Sequence, residues 1–259
     1  MKAIAVRRHH RLAPVVLMFG ALLVTGLVYA TVTSDPAEAA VVTESDIQAG
    51  QALYRANCAT CHGPNADGRY DTPSLIGVGA AAVDFQVSTG RMPMPRTGGQ
   101  APAGQPQFDP EEIRQLAAYV ASLGPGPAVP SAGQVDPAGG DAANGMALFR
   151  TNCAMCHGAA GRGGALTEGR YAPSLAGTAP TQVYEAMLTG PASMPVFNNA
   201  NLTPQEKQDI IAFLDTQRAG SPGGADLGAV GPVAEALWVW VVGMGLLIGC
   251  AVWIGAKSS

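Results

Sequence analysis

Residues 53–63 have the sequence LYRANCATCHG, and residues 148–158 have the sequence LFRTNCAMCHG. Each copy contains the pattern Cys-x-x-Cys-His, supplied by Cys58, Cys61 and His62 and then by Cys153, Cys156 and His157. In this pattern the two thiols can bond covalently to the vinyl groups of one porphyrin, and the histidine that follows can bind its iron. The sequence therefore predicts two covalently bound c-type haems, with the two histidines as proximal iron ligands.

Two other kinds of site also use a Cys-x-x-Cys pair. A thioredoxin-like redox pair needs one such pair, and a zinc ribbon needs two. Neither requires a histidine directly after the second cysteine, and the copies here stand much farther apart than the pairs of a zinc ribbon. Two full matches at equivalent places in a repeat favour haem.

The composition does not suggest one large core, since only 13% of the residues are charged and the chain has 33 Gly and 20 Pro. The formal net charge of -4 is unevenly distributed. Residues 1–11 carry four basic side chains and no acid, whereas residues 33–232 carry 18 acidic and 10 basic side chains. We expect no nucleic-acid partner for this acidic central region.

Two apolar runs predict membrane helices and hence contact with membrane lipid. Residues 13–32 are uncharged and follow the basic N-terminus, which the positive-inside rule keeps in the cytoplasm. Segment 1–33 is either a membrane anchor, which its length favours, or a signal peptide, which the cleavage-like AEA at 37–39 favours. Residues 233–256 form the second run, with tryptophans near its ends. We therefore expect a two-span protein of the cell membrane, with its haem domains outside the cytoplasm.

The two motifs head two similar helical domains, predicted at 43–123 and 141–217. Each has an opening helix that leads into the first cysteine and a capped closing helix. Gly50 and Gly145 recur in the opening helices, and glycine in a helix costs about 1 kcal/mol, so a close helix crossing is expected there. The aromatic residues of the two copies also correspond, as Tyr54 with Phe149 and Tyr119 with Phe213.

Three segments rich in Gly and Pro lie between these elements. Residues 124–140 contain nine Gly or Pro and show no helical periodicity, which predicts a linker. Residues 218–232 predict a tether to the C-terminal membrane helix. Residues 95–108 are inserted in the first domain only, as a solvated loop or as one that contacts a partner.

The sixth iron ligand is predicted to be methionine. The chain has four histidines, and His9 and His10 precede the first apolar run. A Met followed by Pro lies on extended or turn backbone, which can present its thioether from a loop. This favours Met194 over Met187, which lies in a helical stretch, and leaves Met92 and Met94 open in the first domain.

Two further pairs of segments recur near the motifs. The backbone carbonyls of Pro73 and Pro173 can accept the second ring N–H of the ligating histidines, although both segments also fit simple turns. Gly-Arg-Tyr recurs as well, and its donors can bind haem propionates or can belong to a solvated loop. These donors are Arg69, Tyr70, Arg170 and Tyr171.

The whole chain resembles the dihaem cytochrome c subunit of the actinobacterial cytochrome bc1 complex, a menaquinol–cytochrome c reductase. The resemblance is carried by QVSTGRMP at 86–93, AMLTGP at 186–191 before Met194-Pro195, LTP at 202–204 and WIG at 253–255. It implies an all-α fold of two tandem class I cytochrome c domains, and Met92 as the sixth ligand of the first haem.

The resemblance also implies a function and partners. Electrons would pass from the Rieske iron–sulfur protein through both haems to a haem-copper terminal oxidase, beside a cytochrome b subunit. The chain would be an electron-transfer subunit of a menaquinol or ubiquinol–cytochrome c reductase without a substrate site of its own. A dihaem subunit of another oxidase or dehydrogenase is an alternative, and a dihaem peroxidase is disfavoured because each domain carries a Met-Pro.

Overall fold

The chain divides into two compact units, Met1–Val41 and Val42–Ser259. The structure, a computed structural model, describes residues 13–33, 42–95, 98–218 and 232–256. Three predicted features lie outside these residues. They are the basic N-terminus, the cleavage-like site at 37–39 and most of the tether predicted at 218–232.

Two long apolar helices are α1 (Ala13–Thr33) and α11 (Pro232–Ala256). In the part of the chain that the structure describes, one segment is long and apolar enough to cross a membrane: Ala236–Ala256, with a mean hydropathy of 2.2. The apolar part of α1 found by the same test is the shorter segment Pro14–Thr25. The C-terminal membrane helix is thus supported, and the N-terminal anchor stays a prediction.

The first repeat, residues 44–122, begins and ends with capped helices. Its helices are α2 (Glu44–Asn57), α3 (Ala59–His62), α4 (Ala80–Ser88) and α5 (Pro110–Ser122). A capping box formed by Asp109 and Glu112 starts α5, as the sequence predicts, and the structure shows a further one, formed by Thr43 and Asp46, at the start of α2. These side chains satisfy backbone N–H groups that the first turn of a helix leaves free.

The connecting segment, residues 124–140, differs from the predicted linker. It contains the short helix α6 (Ala132–Val135) and a 3-10 turn, Pro137–Gly139. The N–H of Ala81 donates to the carbonyl of Pro127 at 3.1 Å, and the Gln208 amide donates to the carbonyl of Gly133 at 2.7 Å. Because its carbonyls are bonded to helices of both repeats, the segment is a bridge of defined conformation.

The second repeat, residues 142–218, follows the same plan with one addition. Its helices are α7 (Ala142–Asn152), α8 (Ala154–His157), α9 (Pro180–Thr189) and α10 (Pro204–Arg218). The addition is an antiparallel pair of two-residue strands, β1 (Gly164–Ala165) and β2 (Tyr171–Ala172). The described chain is therefore mostly helical, as predicted.

The opening and closing helices of each repeat cross at a glycine. A Cβ placed on Gly50 would lie 2.0 Å from the carbonyl oxygen of Gln115 in α5. One placed on Gly145 would lie 1.8 Å from the carbonyl oxygen of Asp209 in α10. Both distances are far inside van der Waals contact, so the prediction of a close crossing at these two glycines is confirmed.

A pair of aromatic rings packs beside each crossing. The ring centroids of Tyr54 and Tyr119 are 5.2 Å apart, and those of Phe149 and Phe213 are 5.3 Å apart, both at an interplanar angle of 46°. The buried hydroxyl of Tyr54 also donates to the carbonyl of Gly63 at 2.6 Å. The aromatic pairs thus correspond between the repeats as the sequence predicts, and each joins its opening helix to its closing helix.

The two repeats meet where α4 packs against α9. Glu185 of α9 is 0% exposed, and neither of its oxygens has a hydrogen-bond donor as partner among the described residues. Its acidic neighbour is Asp84 of α4, which disfavours the ionised form of Glu185. Burial first, and then the charge of Asp84, raise the pKa of Glu185 to about 10.

We predict that Gly50→Ala and Gly145→Ala each lower the free energy of unfolding by about 1–3 kcal/mol or more, because the added methyl group overpacks a backbone contact. Gly133→Ala in α6 is the matched control, since a Cβ there meets nothing within 4 Å. Thermal unfolding followed by circular dichroism measures the difference. Equal stability of the Gly50 and Gly133 variants would show that the helices do not cross so closely.

We predict that Glu185→Gln weakens the pH dependence of stability. The native state keeps the Glu185 proton up to about pH 10, whereas an unfolded carboxyl loses it near its ordinary pKa of 4.5. The stabilisation is therefore complete below the lower pKa and is lost as pH rises to the higher one, by at most about 1.4 kcal/mol per pH unit. Melting temperatures at several pH values should fall less steeply in Glu185→Gln than in the wild type or in the exposed control Asp215→Asn. An unchanged slope would contradict the buried protonated carboxyl.

Candidate haem-binding site

Each Cys-x-x-Cys-His motif lies on one helical turn at the end of an opening helix. The N–H of His62 donates to the carbonyl of Cys58 at 2.9 Å, and the N–H of His157 donates to the carbonyl of Cys153 at 2.9 Å. Both histidine side chains are buried, with 9% and 8% exposure. The turn therefore holds the thiols and the imidazole of each motif close together in the same way in both repeats.

A backbone carbonyl fixes the ring of each histidine. The Nδ1 atom of His62 lies 2.9 Å from the carbonyl oxygen of Pro73, and that of His157 lies 2.9 Å from the carbonyl oxygen of Pro173. A carbonyl can only accept, so each Nδ1 carries the proton and each Nε2 keeps its lone pair. The contact expected from the sequence is therefore present, and Nε2 is the nitrogen left for a metal.

A glycine that follows each histidine in the sequence allows the backbone to turn, so that the proline carbonyl reaches the histidine ring. Gly68 and Gly163 have φ angles of +85° and +86°, and a Cβ on either would lie within 3.0 Å of the backbone around the proline. Their N–H groups donate to the carbonyls of His62 at 2.9 Å and His157 at 2.8 Å. Sequence analysis missed this pair, although both glycines lie six residues after their histidine.

The structure corrects the predicted equivalence of the two Gly-Arg-Tyr segments. Gly68 corresponds to Gly163 and not to Gly169, because extra residues lengthen the hairpin of the second repeat. Arg69 pairs with Thr72 in the first repeat, in the place where Gly164 pairs with Ala172 in the second. Tyr70 is fully exposed, at 104%, so the Arg69-Tyr70 segment fits the solvated-loop alternative.

Arg170 of the lengthened hairpin binds the segment that carries Met194. Its guanidinium donates to the hydroxyl of Ser193 at 2.8 Å and to the carboxylate of Glu168 at 3.0 Å. Since Ser193 directly precedes Met194, Arg170 ties the hairpin to the candidate ligand. Tyr171, the next residue, contributes its backbone to a contact with the first repeat, described below.

The candidate methionines differ in their packing. Met92 packs against the buried core of the first repeat, and Met194 packs against that of the second. Met94 is half-buried and is not among the side chains that pack against the core of the first repeat. Met187 is 2% exposed within the core of the second repeat, as predicted for a packing residue. This packing favours Met92 over Met94.

One cavity of about 740 Å³ reaches parts of both candidate sites. From the second repeat it is lined by the whole candidate site: Cys153, Cys156, His157, Pro173 and Met194. From the first repeat it is lined by Pro73, Met92 and Met94. The two candidate sites therefore open into a common space where the repeats meet.

The electrostatics of the site disfavour a redox-active thiolate pair. Burial raises the pKa of the Cys58 thiol, and it raises that of Cys153 to about 11, whereas a redox-active thiol has a lowered pKa. Burial also lowers the pKa of His157, which keeps its imidazole neutral. A neutral imidazole, a thioether and two thiols on the wall of one cavity form a donor set that suits a covalently attached haem.

Arg91 is a further candidate that sequence analysis missed. Its half-buried guanidinium lies 4.9 Å from the ring centroid of Phe85, lines the cavity and forms no ion pair with a described residue. Burial lowers the pKa of Arg91, because a buried cation without a neighbouring anion loses hydration that nothing replaces. A haem carries propionates, so an unpaired cation on the cavity wall also fits this group.

Comparisons with known proteins agree with this site. The family model described as cytochrome c oxidase, cbb3-type, subunit III matches residues 45–120 and 140–214, one match for each repeat. Over 262 residues the chain is 45% identical to the cytochrome bc1 complex cytochrome c subunit of Mycobacterium tuberculosis, covering 97% of this chain and 93% of that protein.

Other relatives extend the comparison. The chain is 44% identical to the cytochrome bc1 complex cytochrome c subunit of Corynebacterium efficiens, over 89% of this chain and 84% of that protein. It is 31% identical to the Cbb3-type cytochrome c oxidase subunit CcoP of Rubrivivax gelatinosus, over 52% of this chain and 41% of that protein. The similarity to the oxidase subunit thus covers about half of the chain, whereas the similarity to the other two covers most of it.

Proposed function

The chain belongs to the family of actinobacterial cytochrome bc1 complex cytochrome c subunits, and from this membership we propose that it relays electrons through two haems from a Rieske iron–sulfur protein to a haem-copper terminal oxidase. The family establishes a cytochrome c role in electron transfer within a bc1 complex, with covalently bound c-type haem. The number of haems, their ligands and the order of partners are our proposal.

The duplicated geometry around the histidines carries the proposal. In both repeats a buried histidine donates from Nδ1 to a proline carbonyl at 2.9 Å, directly after a pair of cysteines. Each haem, when bound, supplies an iron that can be reduced and reoxidised by one electron. The four motif cysteines would hold the two haems, and the two histidines would bind the irons through Nε2.

Methionine is the proposed sixth ligand in both repeats. Met194 lines the same cavity as His157, and Met92 packs against the core of its own repeat. Met94 remains the alternative that strict alignment of the repeats selects. Thioether ligation raises the potential of a haem and blocks oxygen and peroxide from its iron, so it suits an electron carrier.

The packing of the repeats allows a fixed relay. The candidate sites open into one cavity, and the connecting segment is bonded to both repeats. Electron transfer between the two haems therefore needs no diffusional encounter, because their effective concentration is set by the fold. The chain itself would need no substrate site and would act as a subunit of a menaquinol or ubiquinol–cytochrome c reductase.

The membrane helix places this relay beside membrane partners. The C-terminal segment Ala236–Ala256 supports membrane association. With the proposed N-terminal span it would keep both haem domains outside the cytoplasm, next to cytochrome b, the Rieske protein and the oxidase. A dihaem subunit of another oxidase is the second candidate, because the family model carries the description of an oxidase subunit.

We predict that Met92→Ala and Met194→Ala each remove half of the thioether–iron charge-transfer absorption at the red edge of the oxidised spectrum, because each methionine serves one haem. Met187→Ala is the control for loss of a buried methionine that is no ligand. An unchanged band in Met92→Ala, together with a halved band in Met94→Ala, would move the assignment to Met94.

We predict that quinol oxidation coupled to oxygen reduction in purified membranes persists at high salt without added soluble cytochrome c. A tethered relay depends little on steering by charge, whereas docking of a diffusing carrier weakens steeply with salt. Purification in mild detergent should recover cytochrome b, Rieske and oxidase subunits with the chain. An absolute need for a soluble carrier, with strong inhibition by salt, would overturn the relay. Recovery with an oxidase alone would favour the second candidate.

A further inference from the structure

We propose that Gln100 is a positioning residue that closes the second haem site with a loop of the first repeat. The loop consists of residues 98–104, and we call it the covering loop. This inference rests on the proposed function, in that it requires a haem in the second repeat. In this arrangement a loop of the first repeat completes the wall of the second haem site.

Two hydrogen bonds hold the tip of the covering loop on the second repeat. The side-chain amide of Gln100 donates through Nε2 to the carbonyl oxygen of Tyr171 at 2.8 Å. Its Oε1 accepts from the N–H of the same residue at 3.0 Å. The amide thus pairs with the backbone of β2 as a neighbouring strand would. A side chain must both donate and accept to make this pair, which selects an amide.

The base of the covering loop is fixed on the first repeat. The N–H of Gly104 donates to the carbonyl of Thr89, just after α4, at 3.0 Å. Gly90 packs so tightly there that a Cβ on it would lie 2.4 Å from the backbone of Gly104. The loop is therefore bound to one repeat at its base and to the other at its tip, and Gln100 is the residue that spans the boundary.

The covering loop forms part of the wall around the candidate second site. Its cavity-lining residues are small except for the glutamine: Gly98, Gly99, Gln100, Ala101, Ala103 and Gly104. The same cavity is lined by His157 and Met194. The bonded residue Tyr171 directly follows Arg170, which binds Ser193 beside Met194. Gln100 thus forms part of the cavity wall. Through β2 it also holds the hairpin whose Arg170 binds Ser193 beside Met194.

This wall has a consequence for the second haem. Exclusion of water lowers the local dielectric constant, which disfavours the more highly charged oxidised iron and raises the reduction potential. Release of the loop would admit water and small ligands to the second site. The first haem would be affected less, because Pro73, Met92 and Met94 line the cavity but its candidate cysteines and its histidine do not.

The test compares Gln100→Ala with Gln107→Ala in the purified full-length chain. Gln107 is the matched control, because its amide bonds to Pro93 at 3.4 Å within the first repeat. Gln100→Glu is a second variant that keeps the bulk of the side chain but cannot donate to the Tyr171 carbonyl when ionised. Redox titration monitored by absorption gives the potential of each haem, with the second haem assigned by the change in Met194→Ala.

We expect Gln100→Ala and Gln100→Glu to lower the potential of the second haem more than that of the first. We also expect imidazole to bind the oxidised second haem at least about tenfold faster in Gln100→Ala, which loses two hydrogen bonds, and about fivefold faster in Gln100→Glu, which loses one, since each lost hydrogen bond weakens closure roughly fivefold. Gln107→Ala should leave the potential and the imidazole binding of the second haem as in the wild type. If the wild type holds two low-spin haems and both Gln100 variants leave the potentials and imidazole binding unchanged, the role of Gln100 is refuted and the proposed function stands. A wild type without a low-spin second haem would refute the proposed function itself.

Discussion

The close crossing of the opening and closing helices is the constraint on which each repeat depends. At Gly50 and Gly145 the backbones approach so closely that no side chain fits between them. The crossing brings the paired aromatic rings together, and these rings lie on the two helices that frame the Cys-x-x-Cys-His turn. The turn can then present a buried histidine whose Nδ1 is held by a proline carbonyl. A loosened crossing would release each of these contacts in turn.

Features set by local sequence were predictable, and those set by contacts between distant residues were not. The haem motifs, the capping boxes and the helix-crossing glycines follow from spacing and backbone chemistry, which act over a few residues. The two Gly-Arg-Tyr segments look equivalent in the sequence, but the hairpin of the second repeat is longer. The residue that makes the same backbone contacts as Gly68 is therefore Gly163, which has different neighbours in the sequence. Composition likewise predicts a linker at 124–140, but it does not show the hydrogen bonds from Gln208 that hold this segment on the second repeat.

The contact between the repeats holds the two candidate haem sites next to each other. The buried carboxyl group of Glu185, the connecting segment and the covering loop all lie at or across this boundary. Two cytochrome domains on a free linker would exchange electrons only when they happened to meet. Here the candidate sites share a cavity, so their separation is fixed by packing. The acidic surface is then available for partner subunits and is not required for encounters between the haems.

The central claim is that each repeat holds its own haem covalently, and the mass of the denatured full-length chain tests it most directly. Thioether bonds survive denaturation, whereas haem held by iron ligands alone is lost. The account predicts a mass equal to the polypeptide plus two haems, falling by one haem when Cys153 and Cys156 are both replaced by alanine. A wild-type chain that retains one haem or none would contradict it.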